Sequence, residues 1–118
     1  MSNDLPAGSP EALSAEDAKL VTLARATRAR ARADEGAAVR DLDGRTYAAA
    51  SVRLEHLSLA ALEVCVAMAI SSGATGLEAA VVLLDGDPGL DAVRDLAGTG
   101  VPVHVGDARG AVARTLAT

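Results

Sequence analysis

Aromatic rings are what this sequence has least of. Tyr47 is the single aromatic residue among 118, and there is no tryptophan or phenylalanine. Single-stranded nucleic acid is held largely by stacking on such rings, so that class of function is excluded. A formal net charge of −5 also argues against nucleic acid as a general partner. With one cysteine, Cys65, no internal disulfide can form. Lying in an apolar run, Cys65 reads as a buried, inert thiol. No run is long enough for a convincing membrane span, which needs about 20 strongly apolar residues, so no membrane partner is expected. The first residues are polar and include Pro6, Gly8 and Pro10, unlike a secretory signal. A cytoplasmic protein is expected, and the alanine and arginine bias fits a bacterial genome of high GC content.

Half of the residues are hydrophobic, many of them alanine, and the length suits one domain with one core. The most apolar stretch is Leu57 to Ser72, which carries one charge, Glu63. Leu, Ala and Met favour helix, and neither Gly nor Pro interrupts. Apolar residues fall on every side, so the helix is expected to be buried all round, by its own domain or by a second subunit. Glu63 inside such a helix should be paired. An ion pair with Arg53 or Arg94 is the expected state, and a general acid is the functional alternative.

Residues 1–13 read as a flexible leader and 14–118 as the domain. Ser14, followed by Glu16 and Asp17, gives a helix start with an N-cap hydroxyl and acids in the first turn. That helix runs to about Ala33, with Leu20, Leu23, Ala24, Thr27 and Ala31 on one stripe. Arg25, Arg28, Arg30 and Arg32 crowd its end, as a solvated helix terminus or as a phosphate cradle. Gly36 breaks the helix. Ala37 to Leu42 and Arg45 to Arg53 form a hairpin about Asp43-Gly44. After the central helix, Leu77 to Leu84 is a continuous apolar strand covered on both faces. Gly89 to Ala97 is a short helix opened by Pro88, and Val101 to Val105 a strand beginning near Pro102. Ala111 to Leu116 is expected to be a last helical turn or two. His104, between Val103 and Val105, is expected to point outward on an edge strand. The fold class is α/β, with three α-β-α layers around a mixed sheet of about four to five strands.

This order and several of its residues resemble the cytidine deaminase family of zinc-dependent nucleoside deaminases, over roughly Leu20 to Gly110. Leu20-Val21-Thr22-Leu23-Ala24-Arg25 is similar to the family's first helix. Gly36-Ala37-Ala38-Val39 is similar to its V-G-A-A-L strand, and Asp43-Gly44 to its hairpin turn. Ser51-Val52-Arg53-Leu54-Glu55 stands where the family has N-V-E-N-A. Val66-Ala67 through Ser72-Gly73 resemble the tail of its catalytic helix. The resemblance implies a zinc ion held by C-A-E or H-A-E at the start of that helix and by P-C-x-x-C at the start of the next. The glutamate moves protons while zinc-bound hydroxide attacks the pyrimidine.

Those chemical residues are missing. Counting from Val52, Leu62, Glu63 and Val64 occupy the first motif, with Leu at the ligand position and Val at the acid position. Pro88 is followed by Gly89-Leu90-Asp91-Ala92-Val93, without cysteine. Ser51 and Arg53 replace the ribose-gripping Asn and Glu, and Ala33 falls near the pocket phenylalanine. The tyrosine-bearing loop is shortened at Ala33-Asp34-Glu35. Cys65, His56 and His104 show no ligand spacing. No catalytic residue, metal ligand or cofactor is therefore assigned, although the family would use zinc. The expected function is a binding or scaffolding module without deaminase activity, a homo-oligomer (dimer or tetramer) joined through helix 57–72. The alternatives are a working nucleoside deaminase, or a non-catalytic sensor of a nucleoside or nucleotide.

Overall fold

Residues 13–118 are described by the computed structural model, so all but the last residue of the expected leader lies outside them. The elements are α1 (Ala15–Ala31), β1 (Gly36–Asp41), β2 (Thr46–Ala50), β3 (Val52–Arg53), β4 (Ser58–Leu59), α2 (Ala61–Ser71), β5 (Leu77–Leu83), α3 (Asp91–Ala97), β6 (Pro102–Gly106) and β7 (Val112–Ala117). Five strands form a mixed sheet in the order β2-β1-β5-β6-β7, and β3 pairs with β4 in a separate small hairpin. Only β5 and β6 run parallel in the five-stranded sheet; its other pairs are antiparallel.

The three layers follow from alternation along the central strands. Ala37, Val39, Ala80, Val82, Val103 and Val105 pack with α2 and with Val93 of α3. Ala38, Ala79, Val81 and Leu83 point the other way, onto Leu20 and Ala24 of α1. Small residues in β1 let both helices come close. A Cβ on Gly36 would lie 2.4 Å from the Ala24 carbonyl oxygen and 2.6 Å from Arg28 Cβ. Gly36 is thus required by the close passage of α1, beyond any part in ending the helix. Ser14 caps α1 by accepting the Asp17 N–H at 3.0 Å. The Asp43-Gly44 turn forms as read, with Gly44 at φ +85°.

Three expectations are corrected. Residues 111–116 are not helical but form β7, which pairs antiparallel with β6. Asp107 caps its own loop by accepting the Arg109 and Ala111 N–H groups, and Gly110 takes a positive φ, so the chain turns back along β6. The central helix begins at Ala61 rather than Leu57, because Leu54 N–H donates to the Leu57 carbonyl and draws 52–59 into the small hairpin. Its burial is one-sided as well. Ala61, Leu62, Cys65, Val66 and Ala69 are buried, whereas Met68 and Ile70 are 38% and 54% exposed. Among the described residues no helix is long and apolar enough to cross a membrane.

Candidate functional site

The start of α2 meets the end of β5 and the start of β1. Gly36 stands opposite Leu83 in the antiparallel pairing, so Glu35 lies beside the carboxyl end of β5. The segment through Pro88 and Gly89 crosses the same corner. Together they enclose a cavity of about 40 Å³ lined by Glu35, Leu62, Val82, Leu84, Pro88 and Gly89, among others. Leu62 is buried, and Val64 packs against the core on the α2 side. Hydrocarbon therefore occupies the ligand and acid positions counted from the sequence. Gly89 and Ala92, which stand where P-C-x-x-C has its cysteines, offer no side-chain donor. Among the described residues no group of three or more His, Cys, Asp or Glu side chains could hold a metal ion. The donor set does not fit zinc.

Two carboxylates reach the helix start. Glu63 Oε1 accepts the Ala60 N–H at 2.8 Å, and Glu35 Oε1 accepts the Ala61 N–H at 3.0 Å. Glu63 is exposed, not buried, and pairs with neither expected arginine. It belongs to the first turn of α2, where the helix dipole and an unpaired N–H both favour it. Arg53 lies 3.8 Å from Glu35 Oε2 and donates to the Ser58 hydroxyl, while Arg94 pairs with Asp91.

The expected donors are not brought together. Cys65 Sγ donates to the Tyr47 carbonyl at 3.6 Å, inside the core, and burial pushes its pKa up to about 12. His56 sits exposed in the small hairpin, 3.8 Å from Glu55. His104 lies under the opposite face of the sheet. It is buried rather than outward, because β7 makes β6 an interior strand. Its Nε2 meets Asp17 Oδ2 at 2.8 Å and its Nδ1 meets the Thr115 hydroxyl at 2.8 Å. Asp17 Oδ1 accepts from Arg40 at 3.0 Å, and Arg40 Nε donates to Glu78 at 2.7 Å. Burial raises the Asp17 pKa, but hydrogen bonds from His104 and Arg40 outweigh it, and the net result lies below the usual carboxylate value. Sequence reasoning missed this network. Its signal was present, since Asp17, Leu20 and Ala24 share one helix stripe and the last two are core residues.

The arginines at the end of α1 do not converge. Arg25 donates to the Arg109 carbonyl and Arg28 to the Asp34 carbonyl. Arg32 adopts the left-handed conformation that ends the helix. An open recess of about 330 Å³ beside it is lined by Arg32, Asp34, Ser51 and Arg53.

A sequence model of the family described as cytidine deaminase-like matches residues 13–110. The chain belongs to the cytidine deaminase-like family. Among solved structures it is similar to cytidine deaminase from Mycobacterium leprae, at 16% identity and a TM-score of 0.68, over 89% of this chain and 94% of that one. It is similar also to cytidine deaminase from Burkholderia pseudomallei, at 19% identity and a TM-score of 0.68, over 90% of this chain and 92% of that one. At such identities the likeness speaks for the cytidine deaminase-like fold. No curated protein matches the chain.

Proposed function

We propose that this cytidine deaminase-like protein lacks zinc-dependent deaminase activity and acts as a homo-oligomeric binding or scaffolding module. One observation carries the reading: counted from Val52 and from Pro88, the positions at which the family's chemistry needs metal ligands and an acid hold Leu62, Val64, Gly89 and Ala92. Without a metal to acidify water, hydrolytic deamination has no nucleophile at neutral pH, and the nearby Glu35 carboxylate is engaged by the Ala61 N–H. The proposed assembly draws on the exposed side of α2. Met68 and Ile70 lie there, and Leu54 and Leu57 project from the β3–β4 hairpin. A two-stranded hairpin is marginal alone, and exposed large apolar side chains on it and on α2 are what a second copy would cover.

The experiment has two arms. Purified protein is analysed for zinc and assayed for turnover of cytidine and deoxycytidine. Bound zinc below a tenth of an equivalent, with no turnover, is expected; stoichiometric zinc with turnover would refute the reading. Light scattering across a concentration series tests the assembly, and a monomer at all concentrations would refute the scaffold. The recess holding Arg32, Ser51 and Arg53 favours a second reading, a sensor for a phosphorylated nucleoside. Thermal shift against nucleosides and their phosphates tests it.

A further inference from the structure

The start of α2 is bare by its own sequence. The first N–H groups of a helix have no partner within it, and leaving them unmade beside an apolar wall is costly. Ala60, at the N-cap, has no side chain that can accept a hydrogen bond. Glu63 supplies one acceptor from within the helix. The other comes from Glu35, 26 residues earlier in the chain, across the corner of the sheet. Glu35 is well held for this. Its N–H donates to the Ser51 hydroxyl at 3.1 Å and its carbonyl accepts the Ser51 N–H at 3.0 Å. Its side chain is mostly buried, and Arg53 stands near its second oxygen. The carboxylate also forms part of the cavity wall with Leu62, Pro88 and Gly89.

We infer that Glu35 is an internal staple: its carboxylate ties the start of β1 to the start of α2 and occupies the anion-receptive end of the cleft. The inference rests on the metal-free reading above. It explains how the helix start is fixed with no ligand set present. The same negative charge, facing the amino end of the helix, closes that end to an external anion.

The test uses the full chain and two variants, Glu35→Ala and Glu35→Gln, in thermal denaturation. Glu35→Ala should lower Tm by about 3–6 °C, the size of a lost helix cap in a domain of this length. Glu35→Gln keeps an acceptor and loses the charge, so its fall should be about half as large. Formate should then raise the Tm of Glu35→Ala by about 1–2 °C when its concentration equals its Kd. Chloride at equal ionic strength should not do so, and formate should leave the parent protein unchanged. An unaltered Tm in Glu35→Gln together with either an unaltered or an unrescued Glu35→Ala would overturn the staple. If Glu35→Ala does not fold, the Glu35→Gln result alone decides, a fall supporting the staple and no change overturning it. A chelator arm is read separately. Loss of parent Tm on chelation, with zinc recovered, would overturn the metal-free reading whatever the variants do.

Discussion

Asp17→Asn tests the buried network directly. Asp17 uses both carboxylate oxygens, one on His104 of β6 and one on Arg40 of β1, and so pins the first turn of α1 to two strands. Asn keeps the shape and one acceptor but removes the charge. Arg40 would be left with Glu78 as its one charged partner, and its NH1 is already buried without a partner. A hydrogen bond to a charged group contributes about 1.5–3 kcal/mol, and breaking a fully buried pair costs about 3–5 kcal/mol. The Asp17 and Arg40 side chains keep 13% and 16% of their exposure, so partial solvation lowers that cost. A loss of about 2–4 kcal/mol is expected. With about 2.1 cal/mol/K of unfolding entropy per residue, 118 residues give roughly 4 °C per kcal/mol, hence a Tm fall of about 8–16 °C. Circular dichroism melts and urea titrations measure it. Glu16→Gln is the control, because the Glu16–Lys19 pair is exposed and should cost under about 0.5 kcal/mol. A fall below about 2 °C in Asp17→Asn, or one erased by roughly 0.5 M salt, would refute the argument, since a buried pair is poorly screened.

Acid titration should reveal the same group. Asp17 and Asp41 are both held below the usual carboxylate range, Asp41 because the Tyr47 hydroxyl and the Arg45 and Asp43 N–H groups outweigh its burial. A depressed folded pKa gives stability that is full above the unfolded value and lost as pH falls through the folded one, so urea midpoints should stay flat down to about pH 5 and drop below about pH 4. A midpoint that rises on acidification would contradict this. The Cys65 thiol, pushed up to about 12, should resist Ellman's reagent in the folded protein at about pH 8 and react only along the urea unfolding curve. Rapid labelling of native protein would count against the packing. Restoring the acid alone, as Val64→Glu, should buy no cytidine turnover and should lower stability by about 1–3 kcal/mol, because the carboxylate enters a hydrocarbon wall. Measurable turnover would show that the site still activates water, and would refute the metal-free reading.

Much of the architecture was written in short-range chemistry. The Ser14 cap, the Asp43-Gly44 turn and the apolar Leu77 to Leu83 run each announce their element within a few residues. What failed depends on contacts distant in sequence. The alanine and leucine of 111–116 favour helix in isolation, and the edge of β6 overrides them. Leu57 has helix propensity, yet its carbonyl is claimed by Leu54. The stripe that holds Asp17 with Leu20 and Ala24 shows that Asp17 faces the sheet, but His104 is 87 residues away, so its partner had no local trace. At the candidate site, the apolar character of Leu62 and Val64 was legible because their positions could be counted. Glu35 was not, because its role depends on where a strand start meets a helix start, which composition and spacing do not encode.

The pattern of replacement at that corner has a physical logic. A buried thiolate or carboxylate is tolerable beside a cation and costly without one. Dropping one member of a metal site would strand the others as unpaired charge, whereas replacing all of them with hydrocarbon leaves nothing to compensate. In the proposed reading Leu62, Val64 and Ala92, with Gly89 bearing no side chain, follow the second course. What hydrocarbon cannot supply is a partner for the helix's own N–H groups, and here two carboxylates meet them from the side already open to water or to Arg53. On the side of α2 the sheet offers no donor of its own, since its central strands face that helix with Ala, Val and Leu77. Its packing does not depend on such donors, so a cytidine deaminase-like fold can stand without metal ligands, as the proposed reading requires.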